Sequence, residues 1–273
     1  MPQSSGHREG PRASTKAGKA LRKGPQGASP EPGAAKDGEL SAAAAARLAR
    51  VFAEPTAVFG ELSSRPTWLL GLLLVVVVSI AAQSIITPRI DFEATLRRAI
   101  AESPRAAERL PEERIAETAE AQRKVANVIR YTAPATVAIM FLVLGGVYFL
   151  GLKVVGSTVE YRPVFAAVLH ATVPATVVSS LLLSIVAMRR ESYAAQELET
   201  MLKSNVAAFL DPEAPEFLTT LARTLDVFNL WQWVLLAIGL AVVGRVSRGR
   251  AAAVVAVIWG AWAIGKAALA AVF

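Results

Sequence analysis

Five long apolar runs decide most of what this chain can fold into. They cover residues 68–86, 132–152, 164–188, 227–244 and 251–272. Each reaches, within a residue or two, the roughly 20 residues a helix needs to cross a hydrocarbon layer about 30 Å thick. The expected fold is an all-α integral membrane protein: a bundle of five transmembrane helices, with amphipathic helices before the first span and in the two loops on one side. At 53% hydrophobic and a mean hydropathy of +0.42, the chain is more apolar than an ordinary soluble domain, where the figure is about 45–50% with glycine included.

The fourth run has both ends labelled. Residues 225–250 read LDVFNLWQWVLLAIGLAVVGRVSRGR, with Asp226, Trp231 and Trp233 at one water interface and Arg245, Arg248 and Arg250 at the other. Trp68 marks the start of the first span in the same way. Aromatic and basic residues collect at membrane boundaries, where an amphipathic ring or a charged head meets water. The net charge of +7 is spread along the spans in this manner, which argues against a nucleic-acid partner. The absence of cysteine excludes disulfides, thiolate metal sites and thiol nucleophiles.

Residues 1–40 are rich in Gly, Pro, Ser and Lys and hold almost no large apolar side chain, so they are expected to form a disordered basic tail. The first span starts too far along to be a cleaved signal peptide and is expected to do the targeting itself. Residues 41–67 read as two short amphipathic helices, one carrying Leu48, Val51 and Phe52, the other opening at Pro55 and carrying Val58, Phe59 and Leu62. They suit either the membrane interface or the end of the bundle.

The loop at 87–131 holds nine Lys/Arg and eight Asp/Glu. Phe92, Leu96 and Ile100 share one helical face, and a second helix containing Ile115, Val125 and Ile129 is expected to run into span two. Glu120 and Lys124 have the acid-first i,i+4 order that supports a helix. The loop at 189–225 reads as amphipathic helix broken near Asp211 and Pro215, with Leu218, Leu221, Leu225 and Phe228 continuing one face into span four. Gly145, Gly146 and Gly151 in span two, and Ala261 with Gly265 in span five, are sites where helix backbones approach closely.

Orientation follows from the short links, where the positive-inside rule is most reliable. Five Lys/Arg and one acid fall in the 17 residues of 153–163 and 245–250, which places the amino terminus in the cytoplasm and the carboxyl terminus outside.

Candidates for chemistry are few. His170, Thr172, Thr176 and Ser180 make span three the most polar, and it is expected to face the bundle interior. His170 has no Asp or Glu within a span to pair with, so a hydrogen-bonded core histidine is the favoured role over a proton relay. Lys266 is placed to snorkel to the interface. Glu112 and Glu113 lie in a polar loop, unlike the intramembrane glutamate pair of prenyl-protein proteases, and neither a metalloprotease His-Glu-x-x-His nor a phosphate-binding loop occurs. No catalytic residue, cofactor or metal is expected.

The order of Phe52, Pro55, Phe59, Arg65, Pro66 and Trp68 before span one, and of Asp226, Phe228, Trp231, Gly239 and Arg245 in span four, resembles the bacterial branch of the Yip (Ypt-interacting protein) family over residues 48–273. The resemblance implies five spans with a cytosolic amino terminus and, in eukaryotes, association with prenylated Rab GTPases and with other family members. The Asp-Leu-Tyr-Gly-Pro motif of the eukaryotic branch is missing here, which argues against a Rab partner. The expectation is a non-enzymatic protein of the bacterial cytoplasmic membrane. It would organise lipids or a membrane-protein partner, or self-associate through small-residue helix faces. A small-solute transporter using span three is the alternative.

Overall fold

Nine helices follow in chain order in the computed structural model, which describes residues 42–102, 111–211 and 213–272. They are α1 (residues 42–50), α2 (Pro55–Ser64), α3 (Leu69–Ile86), α4 (Phe92–Glu102), α5 (Ile115–Val154), α6 (Tyr161–Met188), α7 (Glu216–Thr224), α8 (Val227–Gly244) and α9 (Arg248–Val272). Helices α3, α6, α8, α9 and the part of α5 from Tyr131 onward are long and apolar enough to cross a membrane. These are the five runs expected from hydropathy. The basic tail lies outside the described residues.

Helix α6 is the centre of the packing. It contacts α3, α5, α8 and α2, while α9 sits against α5 and α8. All residues from Val164 to Ala175 are buried, as a helix with neighbours on every side must be. Glycines set two of the close approaches. A Cβ at Gly145 would lie 3.0 Å from the Phe165 ring, and one at Gly151 would lie 2.7 Å from Val254 of α9. Gly146 and Gly265 have open space instead, so the Ala261–Gly265 pair faces outward.

Helix α2 packs against α8 and α6. The Trp68 ring, at the start of α3, lies 5.6 Å from Phe165, and Gly71 sits beside Leu169 and His170, about two turns into α6. Val51, Val58, Phe59 and Leu62 of the α1–α2 hairpin are completely buried. Each contributes roughly 1.5–3 kcal/mol on removal from water. Phe59 lies against Gly239 of α8, and the Phe52 ring at the tip of the hairpin lies 5.9 Å from Trp231 in an edge-on contact. Trp231 and Gly244 are separated by about 20 Å at 1.5 Å per residue, so the α1–α2 hairpin runs along most of α8. Its apolar face is turned into the bundle.

On the far side of the bundle, α5 continues without a break from the polar loop into its span. Its 40 residues make a rod about 60 Å long. Glu120 and Lys124 form the expected ion pair at 2.8 Å. The second far loop is less regular than its sequence suggests, with two short 3-10 turns, Ala195–Glu199 and Val206–Phe209, ahead of α7. The face expected to continue from Leu218 into span four is interrupted at Leu225 and Asp226. Residues 204–206 cross this point in extended form: Val206 N–H donates to Leu225 O and Val227 N–H to Ser204 O. Those bonds hold the chain out of the helix, and α7 packs on α9 instead of continuing α8.

The near side carries only short links. Helix α8 ends at Gly244, and Arg245 adopts a left-handed conformation with φ 50° and ψ 40°, a position usually given to glycine because a Cβ is disfavoured there. The Ser157 hydroxyl donates to Gly244 O at 2.7 Å, tying the α5–α6 link to this turn. Helix α9 begins at Arg248, leaving a turn of residues 245–247, shorter than the 245–250 expected.

Candidate functional site

The polar groups of span three form a tie between helices. His170 is 1% exposed, and its Nδ1 lies 2.9 Å from Ala166 O one turn back. Thr172 donates to Val168 O at 2.9 Å and accepts from Gln232 Nε2 of α8 at 3.0 Å. Thr176 and Ser180, one and two turns further along, are half-buried. Gln232 sits among tryptophans and leucines, and nothing in its neighbourhood signals its partner 60 residues away. Within a lipid bilayer such a bond stabilises helix association by about 0.6 kcal/mol on average.

The hairpin brings charge to the same half of the bundle. Arg47 is 8% exposed; its Nε donates to Glu61 at 2.9 Å and its Nη1 to the Thr67 hydroxyl at 2.9 Å. Arg50 donates to the other Glu61 oxygen at 2.7 Å and pairs with Glu54 at 3.1 Å. The guanidinium of Arg50, followed by that of Arg47, holds the Glu61 carboxyl below its ordinary value of 4.5. A buried guanidinium is costly unless its donors are satisfied, and here one carboxylate and one hydroxyl satisfy it. The spans supply no acid near His170; the hairpin supplies an ion network.

The residues expected to mark the interfaces have definite structural contacts. Trp68 meets Phe165 at a tilt of 54°, Trp231 meets Phe52 edge-on, and Trp233 lies 4.1 Å from Trp259. Asp226 is the N-cap of α8, accepting from Phe228 N–H at 2.8 Å and from the Ser204 hydroxyl. Arg245, Arg248 and Arg250 are exposed at the near end.

Several concave features surround this framework. A cleft of about 200 Å³ at the near end is lined by Ser63, Thr158, Glu160 and Arg245 together with Val159, Pro163 and Val243. A polar cleft of about 690 Å³ on the far side includes Lys203, Asp211, Glu216 and Arg223. An apolar groove of about 360 Å³ between α8 and α9 is lined by Trp233 and Trp259. Among the described residues, no group of three His, Cys, Asp or Glu side chains is placed to hold a metal ion. The Thr172–Gln232 bond joins α6 to α8, while His170 and the Thr172 hydroxyl proton bond to carbonyls of α6 itself.

No curated protein and no solved structure matches the chain at a significant level. The Yip1 domain profile matches residues 49–270, from the last turn of α1 to near the end of α9. Helix α2, the long far loop and the five spanning segments thus fall inside a single family match that covers most of the sequence, and the chain belongs to the Yip1 family of multi-pass membrane proteins.

Proposed function

We propose that this protein is a non-enzymatic organiser of a bacterial cytoplasmic membrane, with the near side in the cytoplasm, which holds lipids or a membrane-protein partner against a rigid five-span bundle. The observation that carries this reading is the α1–α2 hairpin, whose four fully buried apolar residues and ion network make it part of the bundle. The outward-facing Ala261 and Gly265 of α9 add a surface on which a second helix could approach closely. Crosslinking in the native membrane, followed by purification, tests the proposal. Recovery with a stoichiometric protein partner or a defined lipid supports it; a partner-free protein that moves a solute across liposome membranes contradicts it.

A second reading has its own observation. Ionisable groups inside a membrane bundle are costly and often mark a transport path, and His170 is buried in α6. If a solute passes here, His170→Ala changes flux or its pH dependence in proteoliposomes while the protein remains folded. Unaltered flux in that variant removes this reading.

A further inference from the structure

We propose that the near rim, formed by Arg65, Lys153, Arg162, Arg245, Arg248 and Arg250, is a docking surface for anionic phospholipid, with the headgroup phosphate seated in the cleft beside Arg245. The inference rests on the organiser reading above and names the lipid class it would hold. All six side chains are exposed, and among the described residues none makes an ion pair. Lys153 lies over the Phe149 ring at 5.1 Å. The hairpin carboxylates Glu54 and Glu61 are already held by Arg47 and Arg50, which leaves Glu160 as the acid lining the cleft.

On the far side Arg97, Arg114, Lys124, Arg190 and Arg223 each face a carboxylate of the protein, while among the described residues Arg123 and Lys203 do not. Five far-side cations thus have an anion supplied by the protein, whereas the six of the near rim are all open to an outside one. Ser63 and Thr158 add hydroxyl donors to the cleft, and Val159, Pro163 and Val243 form its apolar wall. A volume of about 200 Å³ is below the usual range for small-molecule pockets, about 300–1,000 Å³. It suits a headgroup whose acyl chains run along the bundle. That apolar wall at the end of membrane-spanning helices favours a lipid over a free phosphate ion.

The test uses the full chain, purified in neutral detergent and loaded with phosphatidylglycerol or phosphatidylcholine, with retained lipid read by native mass spectrometry. Each basic side chain near an anionic lipid surface is worth about fivefold in affinity, so Arg162→Gln with Arg245→Gln should weaken phosphatidylglycerol retention by roughly 25-fold. A control pair on the far side, Arg123→Gln with Lys203→Gln, should change it by less than about fivefold. Arg162→Gln alone leaves the left-handed Arg245 turn intact and should still cost about fivefold. Equal losses in the two pairs, equal retention of the two lipids by the unmodified protein, or complete displacement of lipid by inorganic phosphate would overturn the proposal. Partner recovery from native membranes is read separately, so loss of lipid preference and failure of the organiser reading are distinguishable.

Discussion

Replacing Gly239 by alanine tests whether the hairpin is seated in the bundle, because the sign of the effect depends on Phe59. The added Cβ would stand 2.9 Å from Phe59 Cε1 and 3.0 Å from Cζ, closer than packed carbon atoms come. The Phe59 ring is completely buried and cannot swing into open space. Overpacking of this kind costs about 1–3 kcal/mol, whereas alanine gains about 0.8–1 kcal/mol over glycine inside a helix. The net expectation for Gly239→Ala is destabilisation of up to ~2 kcal/mol. Phe59→Ala alone should cost about 3–5 kcal/mol. In that background the clash is gone, so Gly239→Ala should become stabilising by up to ~1 kcal/mol. The assay is a double-mutant cycle read by thermal unfolding in one detergent, with the coupling taken as the departure from additivity. Strict additivity would mean that Phe59 and Gly239 do not touch and that the hairpin lies elsewhere.

Other perturbations probe separate parts of the framework. Glu61→Gln removes the acceptor shared by Arg47 and Arg50 and should lower the melting temperature at neutral pH. Because the folded-state pKa of Glu61 is depressed, its contribution is present above the ordinary value of 4.5 and fades as pH falls through the lower folded value. The gap between unmodified protein and variant should therefore close below pH 4.5, as a melting series across pH would show. Thr172→Val and Gln232→Leu should each cost about 0.6 kcal/mol, at most ~1.7, and the double variant should cost no more than the sum of the singles, as measured by unfolding in detergent. Gly151→Leu should force α5 away from Val254 of α9 and destabilise the protein by more than 1 kcal/mol, as roughly expected for overpacking. The cysteine-free chain also allows a topology assay: single cysteines at Ser247 and Glu117, both exposed, should react with an impermeant thiol reagent from opposite sides of the membrane, Ser247 from the cytoplasm.

What the sequence made legible follows from the range of each signal. The five spans stand out because hydropathy is local, and a run of about 20 apolar residues has few alternatives in water. The Glu120–Lys124 pair and the uninterrupted α5 were legible for the same reason, since both lie within one helix. The hairpin's seat was not, because it depends on contacts with α8 far along the chain, such as Phe59 against Gly239, and no property of residues 42–64 carries them. Arg47 and Glu61 are 14 residues apart, and Thr172 and Gln232 are 60 apart; their pairing appears only once helices are placed. Asp226 shows how a correct position can hide a second role. Its place at the end of span four was clear, yet its bond from the Ser204 hydroxyl depends on the 204–206 crossing, which has no apolar period to announce it. The polar character of span three was visible as composition, while its partner on α8 was a single glutamine in an apolar run.

The seat of the hairpin is the claim on which the organiser reading depends, and a crosslink measures it directly. With Phe59→Cys and Gly239→Cys introduced together into the cysteine-free chain, the bulk of the Phe59 ring is removed and two thiols stand where a Cβ added at Gly239 would lie 2.9 Å from that ring. In intact membranes a short bifunctional thiol reagent should join them within one chain, and Gly239→Cys paired with Glu117→Cys should give no product. Absence of the Phe59–Gly239 product, with Phe59→Cys reacting instead as a lipid-facing thiol, would contradict the account.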